Sequence, residues 1–147
     1  MVESKTLPDK LRGIPLFAHL DPSALETVAG TVTEFNVPPG QLLVQPNTEA
    51  TGLFLIEEGT ALVELRGGKT FELGPGEFVG ELALLNEGAV RNARVRAKTE
   101  MVCLAIRRNE FLGMLHMQPT IAVAMLRTLA RRLTETDAEL GRLRASQ

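Results

Sequence analysis

The residues of this sequence best suited to chemistry lie within residues 78–95, FVGELALLNEGAVRNARV. Glu81 is a lone carboxylate ahead of a short apolar run, Leu82-Ala83-Leu84-Leu85. Arg91 follows a polar turn, Asn86-Glu87-Gly88, and enters an extended segment. Gly80 has no Cβ, so a bound group can approach its backbone closely. A single helical turn starting near Gly80 would leave several N–H groups without intrahelical partners. Those donors, at the positive end of the helix dipole, suit an anion such as phosphate. Arg91 adds a permanent cation with a planar fork of donors. An ionised Glu81 only accepts, so it could take a hydrogen bond from a hydroxyl beside that anion. A phosphate receptor with a hydroxyl acceptor is what a ribose phosphate requires. The same residues also fit a strand–turn–strand corner carrying a surface Glu–Arg pair.

Elements on either side must position this stretch. Between residues 31 and 106, short β-prone runs recur at 31–37, 41–45, 52–57, 60–65, 70–73, 91–97 and 101–106. Pro38-Pro39-Gly40, Pro46-Asn47, Glu58-Gly59, Gly67-Gly68 and Gly74-Pro75-Gly76 punctuate them. Regularly spaced short strands with glycine turns predict an antiparallel sandwich or barrel. Helices flank it. Residues 7–20 read as a short helical entry broken by Gly13 and Pro15. A second helix starts at Asp21 as cap, has Pro22 in its first position and leaves at Gly30. After Arg108, Asn109 can cap a helix over 110–117, and Pro119 can open a long one over about 120–143.

The long helix has two apolar stripes. Ala122, Leu126, Leu129, Leu133, Thr136, Leu140 and Leu143 follow steps of 4, 3, 4, 3, 4 and 3, a heptad seam. Ile121, Met125, Thr128 and Arg132 form a second stripe that could face the sheets. Two usable faces predict packing on the helix's own domain and on a partner, hence a parallel homodimer. One broad core-facing stripe in a monomer is the alternative.

Composition bounds the remaining possibilities. A length of 147 residues suits one domain over 1–147: helices in 1–30, sheets in 31–107, helices in 108–147. Hydrophobic residues make up 44%, enough for a packed core and too many for disorder. A formal net charge of -2 does not mark a free-standing nucleic-acid binder. The one cysteine, Cys103, sits in an apolar run and reads as a core thiol, which fits a reducing cytoplasm. The polar first ten residues show no secretory signal, and no apolar run nears the roughly 18 residues of a membrane span. His19 and His116 are isolated on helical stretches. With no nucleophile–base set, metal-ligand spacing or P-loop lysine, neither an enzyme nor a metal protein is expected.

The stretch 78–95 resembles the phosphate-binding cassette of the cyclic nucleotide-binding domain family. Gly80-Glu81-Leu82-Ala83-Leu84, then Arg91-Asn92-Ala93, match its pattern, and Val95-Arg96-Ala97-Lys98-Thr99 resembles the catabolite activator (Crp/Fnr) branch. The resemblance runs from about Leu11 to Leu143. It implies an α+β fold, a jelly-roll-like antiparallel β-roll with helices before it and a long helix after it. It also implies a ligand, cyclic AMP (cAMP) or cyclic GMP (cGMP). The phosphate would meet Arg91, Asn92 and the backbone of Leu82 and Ala83, and the ribose hydroxyl would meet Glu81. Leu73, Leu62 and Phe78 are expected to wall the sugar and base, or to serve simply as core. Arg132 would reach toward Glu81. Thr136 falls where the branch carries a threonine that contacts the adenine across the dimer. Asp137 replaces a serine and could accept from guanine, which leaves the base open. Arg94 also departs from the family; it could bind an anion, stack on the base or point to solvent. A dimerisation or docking module with a lapsed site is the competing reading. Relatives in the catabolite activator branch carry a helix-turn-helix after the long helix, and none follows in the 147 residues here.

Overall fold

The computed structural model describes residues 6–44, 52–65, 67–80 and 93–145, with side chains for 6–43, 52–65, 67–80 and 94–135. Helix α1 (Leu7–Arg12) opens with a capping box. The Thr6 hydroxyl accepts from Asp9 N at 3.3 Å and the Asp9 carboxylate accepts from Thr6 N at 3.4 Å. A 3₁₀ turn (Pro15–Phe17) and helix α2 (Pro22–Ala29) follow. The Asp21 carboxylate caps α2 by accepting from Ala24 N at 2.8 Å, as the sequence predicts.

Eight strands follow among the described residues: β1 (Val32–Val37), β2 (Leu42–Val44), β3 (Gly52–Glu58), β4 (Ala61–Leu65), β5 (Thr70–Leu73), β6 (Phe78–Val79), β7 (Ala93–Ala97) and β8 (Met101–Arg107). They form two antiparallel sheets, ordered β1-β8-β3-β6 and β2-β7-β4-β5. The expected β-roll, with helices on either side of it in sequence, is present. Strand alternation divides the core in two. On β3, Leu53 and Leu55 turn toward the helices, where they join Leu104, Ile106, Phe17, Leu25 and Phe111. Ile56 turns between the sheets with Val63, Leu73, Val95 and Cys103. Both faces of the first sheet are therefore covered. Each fully buried Leu or Phe contributes about 1.5–3 kcal/mol of transfer free energy.

The β3–β4 turn depends on Gly59. Its φ is 91°, and a Cβ there would stand 2.3 Å from the carbonyl oxygen of Glu100.

Helix α3 (Arg108–Met117) and helix α4 (Pro119–Ala145) complete the fold. The start of α3 differs from expectation. Arg107, not Asn109, is the N-cap, and no side chain caps the helix. Strand β8 stays paired through Gly52↔Arg107, so the extended residue that a cap needs is already Arg107. Ile121 and Met125 of α4 are buried against the helical core, and Leu129 packs on it. No described helix is long and apolar enough to cross a membrane.

Candidate functional site

The turn Gly74-Pro75-Gly76-Glu77 carries the chain from β5, an edge of the second sheet, to β6, an edge of the first. It is tied down on several sides. Gly76 N donates to Ile56 O at 2.8 Å, and Ile56 N donates to Glu77 O at 2.9 Å. The Glu77 carboxylate accepts from Gly74 N at 2.9 Å and lies 3.5 Å from an Arg131 nitrogen of α4. Strand β6 then pairs with β3 through Phe54↔Val79 and Leu55↔Phe78. It ends at Gly80, whose φ of 98° lies in the left-handed region that glycine reaches without a Cβ penalty. The chain leaves the first sheet here and re-enters the second at Ala93 of β7.

Of the residues singled out in the sequence for the ligand, Gly80, Leu73, Arg132, Leu62, Phe78 and Arg94 have described positions. Glu81, Leu82, Ala83, Arg91 and Asn92 lie outside the described residues, as does the helical turn expected near Gly80. Thr136 and Asp137 belong to α4, but their side chains lie outside the described set. Leu73 is 6% exposed and faces the interior between the sheets.

Arg132 reaches the entry to the cassette. One terminal nitrogen donates to Phe78 O at 2.8 Å, and its guanidinium carbon stands 4.6 Å from the centre of the Phe78 ring. That contact is made two residues before Gly80. It fixes α4 to β6 through a charge-assisted hydrogen bond and a cation–π contact.

Two of the expected walls are elsewhere. Phe78 belongs to the helix-side core, because Leu55, its partner across β3, faces that way. The inward residue of β6 is Val79. Leu62 pairs with Glu72 and Arg96 on the outer face of the second sheet. Strand parity decides both cases. A two-residue strand shows no period in sequence, and Leu62 is an apolar residue on a polar face. Phe71 was not singled out either. It pairs with inward Val63 and shares its face with Leu73, yet it is 42% exposed.

Arg94 takes the solvent-facing option. It lies 3.9 Å from Glu64, which also holds Arg96 at 2.9 Å, and Lys98 pairs with Glu72 on the same outer face.

A second polar cluster lies under α1. Lys10 Nζ stands 3.1 Å from Glu34 of β1 and 3.2 Å from Glu57 of β3. Glu57 occupies the register shift between Ile56 and Glu58. Burial, and then the neighbouring Glu34, push its carboxyl above the usual range. Glu34 is held below it by hydrogen bonds from Glu57 and Lys10. A groove of about 650 Å³ beside this cluster, lined by Ile14, Pro15, Glu57, Pro75 and Gly76 among others, is distinct from the cassette. His19 and His116 are both exposed and lie far apart in sequence, on separate segments. Among the described residues no group of three His, Cys, Asp or Glu side chains could hold a metal.

Comparison with known proteins agrees with this architecture. The model of the cyclic nucleotide-binding domain matches residues 34–118. An uncharacterised NTE family protein of Mycobacterium tuberculosis is 33% identical over 127 residues, 86% of this chain and 22% of that protein. The cyclic AMP receptor protein of Thermus thermophilus is 31% identical over 138 residues, 90% of this chain and 63% of that one. The crystal structure of the Thermus thermophilus catabolite activator protein superposes with a TM-score of 0.74 at 31% identity, covering 88% of this chain and 62% of that chain. The chain thus spans under a quarter of the mycobacterial relative and under two thirds of the Thermus one.

Proposed function

The chain belongs to the cyclic nucleotide-binding domain family, and from that premise we propose that it is a regulatory sensor for a purine cyclic nucleotide, cAMP before cGMP. The phosphate would be held by Arg91, Asn92 and the amides of Leu82 and Ala83, and the ribose hydroxyl by Glu81. Leu73 would line the pocket, with Thr136 and Asp137 of α4 meeting the base. The single observation that supports this best is the contact of Arg132 with Phe78 O at 2.8 Å, just ahead of Gly80. It ties the long helix to the segment that would receive the anion. A ligand that favours one placement of that segment would then shift the population of helix placements.

The output surface proposed for the helix is a parallel homodimer contact. Val123, Leu126 and Leu133 are 45%, 65% and 63% exposed, and with Ala130 they follow heptad steps of 3, 4 and 3. Relative to the seam read from sequence, Leu126 and Leu133 stay outward while Leu129 turns to the core.

Titration calorimetry with cAMP and cGMP tests the reading. Wild-type protein should give saturable heat with one of them. Arg91→Leu should lose about 1.5–3 kcal/mol of binding, the worth of a hydrogen bond to a charged group. No heat and no thermal shift at millimolar ligand would remove the sensor. If the dimer then forms alike with and without nucleotide, the docking-module reading takes its place.

A further inference from the structure

The groove of about 650 Å³ is lined by α1, the start of the 3₁₀ turn, the end of β3 and the 74–77 corner, all of them described. That volume is in the range of small-ligand sites. Part of its surface is apolar and stiff. Ile14 is 4% exposed, and Pro15 and Pro75 fix their own backbone, so this part is formed before anything binds. The rest is acidic. Successive residues of a strand point to opposite faces, yet Glu57 and Glu58 both line the groove. Glu57 is the extra residue at the register shift between Ile56 and Glu58, and a bulge of this kind re-aims a side chain. Asp9 of α1 adds a third carboxylate.

Positive charge is short here. Among the lining residues only Lys10 is a cation, and its Nζ is divided between Glu34 at 3.1 Å and Glu57 at 3.2 Å. The titratable groups around Glu57 are Lys10 and Asp9 of α1, Glu34 of β1, Glu58 beside it and the Cys103 thiol of β8. Glu57 Oε2 is closed to water and accepts no hydrogen bond. Burial and Glu34 raise the pKa of this carboxyl, so a proton stands in for the missing counter-charge. An occupant that fits must carry a cationic head on an apolar stem. Arginine is that side chain. Its planar guanidinium is weakly hydrated and has donors for two carboxylates, and its methylenes lie readily on apolar surface. The Lys10 stem is flexible and partly exposed, and can swing aside to admit it. The groove is larger than one side chain, so the flanking residues of a peptide would fill the remainder.

We infer that this groove is a docking site for a basic peptide segment of a partner protein, with one arginine laid across Ile14, Pro15 and Pro75 and its guanidinium beside Glu57 and Glu58. No residue of the cassette takes part, so the docking site stands or falls apart from the sensor reading.

The experiment follows backbone amides by NMR while the full chain is titrated with three probes. These are acetyl-Leu-Arg-Leu-amide, its citrulline analogue, which keeps the shape and loses the charge, and ethylguanidinium alone. The arginine peptide should shift the amides of Gly13, Ile14 and Gly76 saturably. The citrulline peptide should bind on the order of tenfold more weakly, and ethylguanidinium more weakly than the arginine peptide. Because a proton on Glu57 competes with the guanidinium, binding of the arginine peptide should tighten as pH rises from about 4.5 toward 7. Glu57→Gln keeps the shape of the side chain. It should erase most of the preference for arginine over citrulline and flatten that pH dependence, while the citrulline peptide binds as before. Three amides unmoved by millimolar arginine peptide would overturn the docking site, as would equal binding of the citrulline peptide or an arginine preference that survives Glu57→Gln. Ethylguanidinium binding as tightly as the peptide would overturn it too, in favour of a site for small cations.

Discussion

Arg132 makes two contacts with one residue, a hydrogen bond to the Phe78 carbonyl and a stacked cation over its ring. A hydrogen bond to a charged group contributes about 1.5–3 kcal/mol and a cation–π contact about 0.5–2 kcal/mol, before side-chain ordering offsets part of both. Arg132→Met keeps the length of the stem and loses both contacts. Its urea midpoint should fall by the equivalent of about 1–3 kcal/mol. Arg132→Lys keeps the charge without the planar fork and should recover less than half of that. A methionine variant as stable as wild type would rule out the contact as an anchor. Cys103 gives a second expectation at this scale. It is 0% exposed, and burial, with Glu57 adding to it, pushes its thiol up to about 11. Folded protein at pH 8 should therefore resist a thiol reagent that labels the urea-unfolded chain at once. Prompt labelling of the native state would contradict the buried placement.

Among the elements, the β3–β4 turn has the least tolerance. Gly59→Ala combines a left-handed backbone with a methyl 2.3 Å from the Glu100 oxygen. A loss of at least about 2–3 kcal/mol is expected, read as a fall in melting temperature of roughly 10 °C or more. Helix α4 shows the opposite case. Leu126→Glu and Leu133→Glu alter side chains that are 65% and 63% exposed, so monomer stability should move by no more than about 0.5 kcal/mol. Sedimentation should nevertheless shift from dimer to monomer; an unchanged coefficient would exclude this face as the seam. The elements also explain how far the sequence could be read. Proline, glycine and Asp21 mark turn and cap positions by their own backbone chemistry, so seven strands and both ends of α2 were legible. Strand β6 was not, because Phe78-Val79 is too short to show a period. Its two side chains face different cores, and only the pairing with Leu55 and Phe54 tells them apart. The same holds for Leu62 and Phe71, whose sides follow from register rather than from hydrophobicity. At the site, glycine and the Glu–Arg spacing were visible in one dimension. The resemblance pointed Arg132 toward the cassette, but its contact with Phe78, 54 residues away in sequence, could not be read from spacing.

At the scale of the molecule, the Lys10–Glu34–Glu57 cluster joins the first helix to two strands of the first sheet. Its two carboxyls respond to pH in opposite senses. Glu34 is depressed below 4.5, so its contribution is present above that value and fades as pH falls through the folded-state pKa. Glu57 is raised above 4.5, so folding favours its protonated form, and that advantage is lost as pH climbs through its folded-state pKa. The cluster therefore stabilises the fold best near the ordinary carboxylate value, with one proton shared by the pair. Glu57→Gln should gain melting temperature relative to wild type as pH rises from about 4.5 toward 7. A difference that shrinks over that interval would argue against the assignment. The corner at 74–77 has a separate consequence. Its backbone is bonded to β3, its acidic side chain faces Arg131 of α4, and a Cβ at Gly76 would meet Pro15 Cδ at 3.2 Å. The 3₁₀ turn that holds Pro15 and helix α4 thus lean on the same four residues. Chimeras that exchange the trailing helix for one from another protein must bring a matching bend with them. Otherwise the acid at position 77 faces a helix without its guanidinium, and the leading helices inherit the misfit.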